Sequence, residues 1–285
     1  METSYINFEI SPVGNVPIFF RRWGNGPKVL LVHGWLDTSL RWRRLGEYLS
    51  SHYEIWALDL PAFGQTSAIP LRYTTLEIYA EILEKFIAHV AKENGLHSLV
   101  GHSMGGLLSL LTLKNSRCFT KRLIVCGASV TGIGYLKSLT DHTNTVTNCL
   151  MAFQKLPTML RRSIIKFGSF LSFRSPRAAK NESRDLGDVD APAAASLLKQ
   201  VCACNLLYQL QLPASPIPSV NVLVMRGRYD PFTSHVAYVQ LAEILGGTFY
   251  EFRDAGHSPM VEQPDRSYRV IRQFLEKTES CFPNS

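Results

Sequence analysis

The chain of 285 residues contains no apolar run approaching the about 18 uninterrupted residues that a bilayer crossing requires. Its first residues, Met1-Glu-Thr-Ser-Tyr5, do not join a basic segment to an apolar one as a secretory leader does. No transmembrane segment and a soluble, cytoplasmic protein are therefore expected. The six cysteines, Cys118, Cys126, Cys149, Cys202, Cys204 and Cys281, include no C-x-x-C pair. The close pair Cys202-Ala-Cys204 has no histidine near it at metal-ligand spacing, so reduced packing residues are expected here rather than a metal site. There is no internal repeat, no low-complexity tract and no basic helix interleaved with aromatics. A formal net charge of +7 is a moderate bias that could favour an acidic partner without identifying one, and nucleic acid is not expected as a partner.

What the chain does have is apolar residues in short runs: 46% of it is hydrophobic and 19% charged, enough for a large core. Residues 5–23 are β-rich around Gly14 and Pro17, with Ile18–Trp23 reading as a strand ahead of the Gly24-Asn-Gly26-Pro27 turn. Lys28–His33 is a nearly continuous apolar run of the kind found in a buried parallel strand. Trp42, Leu45 and Leu49 follow at helical spacing, and Tyr53–Asp59 is the next strand. A helix is predicted over Leu76–Ala91, with a capping box from Thr74 and Glu77 and a stop at Gly95. Lys121–Gly127 and Val220–Met225 read as further buried strands, His235–Leu245 as a helix stopped by Gly246-Gly247, and Thr248–Phe252 as a strand. The last helix begins near Pro264-Asp265. Alternating strands and helices of this kind predict an α/β fold, a mostly parallel sheet with helices on both faces.

From Thr131 to Ser219 the rhythm changes: amphipathic helical stretches are punctuated by Pro157, Pro176, Pro192, Pro213, Pro216 and Pro218, with no clear buried strand. The expected organisation is a core in two parts, 1–130 and 220–285, with a helical cap or lid over 131–219 inserted before the strand that precedes Asp230.

The centre of the pattern is Gly101-His102-Ser103-Met104-Gly105-Gly106, where an apolar strand meets an apolar helix and a lone hydroxyl sits at the apex. In a G-x-S-x-G turn the glycines keep Cβ atoms out of a crowded backbone, and the serine oxygen is exposed at the carboxyl end of the sheet. A serine hydroxyl is a poor nucleophile at neutral pH and needs a base, which in turn needs an orienting group. His257, in a loop directly after a strand, is the candidate base. His52, His89, His97, His142 and His235 fall in helical, helix-flanking or insertion contexts, and His33 and His102 read as packing or loop support. Asp230, in the loop after the preceding strand, is the candidate orienting carboxylate, and the order Ser…Asp…His is the one this turn uses. Asp254 is the competing choice, although three residues from His257 it would have to fold back on its own loop. Backbone N–H groups of Met104, at a helix start, and of Trp35, after the strand ending at His33, are the candidate oxyanion donors.

Taken together, Gly101–Gly106, His33-Gly-Trp35, Asp59-Leu-Pro-Ala-Phe-Gly64, Gly227-Arg-Tyr-Asp230 and Gly256-His257 make the chain resemble the α/β-hydrolase superfamily over about residues 16–277. The resemblance implies the α/β-hydrolase fold and a serine hydrolase that cleaves a carboxylic ester through an acyl-serine with no cofactor. Similar frames serve thioesterases, carbon–carbon hydrolases and non-catalytic receptors. Ala62 departs from the pattern, since many relatives carry glycine there, and implies a slightly different backbone. Ser258, where many carbon–carbon hydrolases carry tryptophan, argues against that branch. The substrate is expected to be a small ester or acyl compound. Arg161, Arg162, Lys166, Arg174, Arg177 and Lys180 form a basic tract that reads as the solvated face of a helix, or else as a dock for an acidic acyl carrier protein or an anionic membrane surface. Together with His33-Gly-Trp35, that tract gives a loose similarity to the pimeloyl-carrier-protein methyl esterases.

Overall fold

The computed structural model describes residues 1–92, 95–115, 120–157, 159–160, 188–211 and 220–276. Its first strands are β1 (Glu2–Ile10), β2 (Gly14–Trp23) and β3 (Lys28–Val32), so β1 begins three residues before the β-rich reading of the sequence. A 3-10 turn over Ser39–Trp42 runs into α1 (Arg43–Leu49), followed by β4 (Glu54–Leu58) and a two-residue β5 (Phe63–Gly64). Next come α2 (Leu76–Ala91), β6 (Leu96–His102), α3 (Met104–Asn115) and β7 (Thr120–Cys126). Between β7 and the next sheet strand lie α4 (Gly134–Asp141), α5 (Thr143–Lys155), β8 (Asp188–Val189), α6 (Ala191–Ala203) and α7 (Leu206–Leu210). The chain then returns through β9 (Asn221–Gly227), α8 (His235–Ile244), β10 (Thr248–Phe252), a short α9 (Pro259–Glu262) and α10 (Pro264–Glu276).

One eight-stranded sheet has the order β1-β2-β4-β3-β6-β7-β9-β10. The β1–β2 and β2–β4 pairs are antiparallel and the other five parallel, as expected from a run of strand–helix units behind an amino-terminal hairpin. The inner strands each carry a short apolar run because both their faces are covered. Along β3, Leu30 and Val32 join the core beneath α2 and α3, while Val29 and Leu31 join a second core with α1 and α10. The same alternation recurs in β7 and β9 and follows from the two-residue period of a strand. This is the α/β-hydrolase fold, and its parallel strands direct their carboxyl ends, and so the loops after β3, β6, β9 and β10, to one rim.

Several local expectations need correction. Thr75, not Thr74, caps α2, accepting from the Ile78 N–H at 3.2 Å. Thr74 is buried beneath α6, where its carbonyl accepts from Gln200 Nε2, and there is no capping box with Glu77. The same helix ends at Ala91 through Lys92, which itself takes φ 44°, whereas Gly95 (φ 72°) lies at the entry to β6. An exposed lysine can hold that conformation at a cost of about 1–3 kcal/mol, so no glycine is needed there. Ala62 takes φ 72°, a left-handed conformation that costs a residue with a side chain about 1–2 kcal/mol. Among the described residues, no helix is long and apolar enough to cross a membrane.

Candidate active site

Ser103 stands between β6 and α3 with φ 53°, a conformation that turns its side chain out of the strand–helix corner. Its N–H donates to the Cys126 carbonyl at 2.8 Å, and its carbonyl receives the Leu107 N–H at 3.0 Å. The flanking glycines are a steric requirement. A Cβ on Gly101 would come within 2.5 Å of the Gly105 carbonyl oxygen, and one on Gly105 would overlap the carbonyls of Val32 and His33.

His257 lies in the loop after β10. Its Nε2 is 3.0 Å from Ser103 Oγ, and its Nδ1 is 3.0 Å from each carboxylate oxygen of Asp230. The consistent tautomer has the serine O–H donating to Nε2 and Nδ1–H donating to the carboxylate. Asp230, in the turn after β9, has a side chain with no solvent exposure. Its Oδ1 also accepts from the Phe232 N–H at 2.9 Å, and its Oδ2 from the Thr233 hydroxyl at 2.8 Å. The loops after β9 and β10 are pressed together: Tyr229 N–H donates to the Ala255 carbonyl at 3.0 Å, and a Cβ on Gly227 would overlap the Gly256 carbonyl. Asp254, the competing carboxylate, is exposed to solvent. The structure thus brings Ser103, His257 and Asp230 into one hydrogen-bonded line.

The loop after β3 closes the other side. A Cβ on Gly34 would lie 2.9 Å from Ser103 Cβ, so the Gly34–Trp35 segment runs directly beside the serine. His33 is fully buried; its Nε2 accepts the Leu60 N–H at 2.9 Å and its Nδ1–H donates to the Gly34 carbonyl at 2.8 Å. Burial pushes its pKa down against the pull of Asp59 and Asp37, which keeps it neutral as this bonding requires. Met104 opens a helix of 12 residues, and the first amides of such a helix have no carbonyl within the helix to bond.

His102 packs its ring 4.9 Å from that of His257 and donates from Nε2 to the His257 carbonyl at 3.1 Å. Several supporting residues carried no signal in the sequence. Arg41, paired with Asp37 at 2.9 Å, donates to Ser258 Oγ at 2.6 Å, and Glu262 accepts the Gly256 N–H at 2.7 Å. Phe232 sets its ring against the His257 imidazole with centroids 4.8 Å apart. Thr233, three residues after Asp230, is the one that local spacing could have suggested, since a hydroxyl there reaches back to a turn carboxylate. No group of three or more metal-ligating side chains comes together among the described residues, and Cys126, Cys149, Cys202 and Cys204 are free thiols. The basic tract Arg161–Lys180 lies outside the described residues.

A hydroxyl, an imidazole and a buried carboxylate aligned at the carboxyl rim of a parallel sheet define a class of α/β protein with the hydrolase layout. The family follows from the chain itself: the model of the Alpha/beta hydrolase family matches residues 29–270, and the protein belongs to that family. Among curated proteins it is similar to a pimeloyl-[acyl-carrier protein] methyl ester esterase of Pseudoalteromonas atlantica, 25% identical over 250 residues that cover 86% of this chain and 93% of that protein. A protein of the same description from Aeromonas salmonicida is 26% identical over 278 residues, covering 89% and 97%. Solved structures with the same fold include a thermophilic esterase from Thermogutta terrifontis (TM-score 0.76, 22% identity, 95% of this chain and 98% of that one). An esterase from Exiguobacterium antarcticum matches with TM-score 0.77 and 19% identity over 96% and 100% of the two chains.

Proposed function

We propose that this protein is a serine hydrolase that cleaves a carboxylic ester through an acyl-serine intermediate. The observation that carries the reading is the unbroken line from Ser103 Oγ through His257 to Asp230, each step 3.0 Å. In the first half-reaction the serine oxygen attacks the ester carbonyl carbon while His257 Nε2 takes its proton. The carbonyl oxygen becomes an oxyanion that the Trp35 and Met104 N–H groups receive, and Asp230 holds the imidazole and offsets its transient positive charge. His257 returns the proton to the departing alkoxide, leaving Ser103 acylated. A water then repeats the sequence, giving the acid and the free enzyme. No step calls on a cofactor, and α4–α7, the described helices of the inserted segment 131–219, serve as a cap over this rim.

Ser103→Ala is expected to lower turnover of p-nitrophenyl esters by up to about a millionfold and to abolish labelling by a fluorophosphonate. Undiminished turnover in that variant overturns the reading. A receptor that merely keeps the hydrolase shape is distinguished by the wild type, which in that case turns over no ester faster than the background rate.

A second reading, in which the acyl group is tethered to an acidic carrier protein, is favoured by the curated relatives, which are named for an ester on such a carrier and align over most of this chain. In that case the basic tract beginning at Arg161 and Arg162 binds the carrier, and reversing both charges is expected to weaken binding. Carrier binding indifferent to that reversal removes this docking mode.

A further inference from the structure

Trp35 is held at two points. The carbonyl of the preceding peptide, that of Gly34, accepts from His33 Nδ1–H at 2.8 Å. In a trans peptide the C=O and N–H point to opposite sides, so this bond also fixes the direction of the Trp35 N–H. The second point is the side chain: the indole Nε1–H donates to the Ala194 carbonyl at 2.8 Å, to a residue 159 positions later in the chain. Ala194 lies within α6, where a helical carbonyl has a lone pair to spare after its intrahelical bond.

Such an approach of a ring to a helix backbone needs small side chains, and α6 supplies them. Ala191, Ala193, Ala194 and Ala195 are all buried, each at most 3% exposed. The helix is itself fastened to the sheet side of the molecule. Gln200 Nε2 donates to the Thr74 carbonyl at 2.9 Å, its Oε1 accepts the Leu76 N–H at 3.0 Å, and the Asp190 N–H at the helix cap donates to the Ala62 carbonyl at 3.0 Å. Leu36, immediately after Trp35, is held at φ 52°, a conformation the loop does not prefer by itself and keeps because its surroundings hold it.

We propose that α6 is a positioning element of the oxyanion-binding loop, acting through the Trp35 indole, so that the seat of this helix sets the alignment of the Trp35 backbone donor. The proposal rests on the reading of Trp35 N–H as an oxyanion donor and goes beyond it. An acyl chain or partner that shifts α6 changes turnover at a site it does not touch. Trp35 acts here as a positioning residue through its side chain, distinct from the part its N–H plays.

The test is a double-mutant cycle between Trp35→Phe, which keeps an aromatic ring and removes the indole donor, and Gln200→Leu, which loosens α6 at its far end. On a p-nitrophenyl ester, Trp35→Phe is expected to lower kcat about 10-fold with KM changed by less than about 2-fold, since a donor displaced by a fraction of an ångström loses part of its effect. Gln200→Leu is expected to lower kcat about 3-fold in the wild-type background and not at all in the Trp35→Phe background, because the route is already cut. An unchanged kcat in Trp35→Phe, or losses that multiply in the double variant, overturns the coupling. Should Trp35→Phe not fold, the indole 15N–1H resonance of Trp35 gives the same answer. It is assigned by substituting the other three of the four tryptophans in turn. It must exchange slowly with solvent and move in Gln200→Leu; a resonance that exchanges freely or stays put refutes the proposal. Ser103→Ala separates the two ideas. If it retains turnover the hydrolase reading fails, whereas a dead Ser103→Ala beside a normal Trp35→Phe sinks the coupling alone.

Discussion

Asp230 can hold the His257 ring in one orientation only if its own carboxylate cannot turn, and Thr233 is one of the groups that stop it. The hydroxyl donates to Asp230 Oδ2 at 2.8 Å, while the Thr233 carbonyl is itself gripped by Arg226 Nη2 at 3.0 Å. Arg226 is buried and donates from Nη1 to Glu251 at 2.7 Å, so the threonine is backed by an ion pair. Thr233→Val keeps the shape and deletes the donor. It is expected to cost about 1–2 kcal/mol of stability and to lower kcat about tenfold with KM unchanged, and Thr233→Ser should restore both. Urea melts and ester kinetics measure these; full kcat in the valine variant removes the role. Ser103, His257 and Asp230 were legible in the sequence because each follows a strand whose apolar run is local, which puts all three at one end of the sheet. Arg41, Glu262 and the indole of Trp35 were not, because each acts through a contact with a residue brought near only by folding, and neither periodicity nor spacing records such a pairing.

At the scale of the element, glycines separate two kinds of requirement that look alike in a sequence. Gly105 sits in the first turn of α3 against β3, where a methyl group would overlap the backbone carbonyls of Val32 and His33, atoms that cannot rotate away. Gly246 ends α8 with φ 58° and has nothing within 4 Å of where a Cβ would stand. Gly105→Ala is therefore expected to cost about 3 kcal/mol through overpacking and to disturb the serine turn with it. Gly246→Ala should cost only about 1 kcal/mol of backbone strain and leave turnover intact. Equal losses of stability in the two variants would contradict this division. The ends of α8 and the start of α10 could be read beforehand because their stop and start residues act on adjacent backbone. The bounds of α2 could be read too, but its capping residue could not, since Thr74 and Thr75 are equally able caps, and the choice is made by α6, which draws the Thr74 carbonyl to Gln200. The two-residue β8 left no trace because so short a ladder has no period; it exists by pairing Val189 with Phe63 across the chain.

Over the whole molecule, charge is the property that separates the two substrate readings. The sequence has a formal net charge of +7, and the tract from Arg161 to Lys180 holds six basic residues and no acidic one. A small neutral ester, by contrast, carries no net charge for that tract to attract, so its approach owes little to the field of the protein. Salt screens exposed charges over about 8 Å at physiological ionic strength and about 3 Å at 1 M. If an acidic carrier protein presents the acyl group, KM for the carrier-bound ester should rise by an order of magnitude or more between 50 mM and 500 mM salt, with kcat nearly constant. KM for a p-nitrophenyl ester of the same acyl chain should barely move. Reversing Arg161 and Arg162 should abolish the salt dependence of the first substrate and leave the second as it was. Parallel salt profiles for the two substrates would mean that the carrier contributes nothing by charge to the binding of its ester.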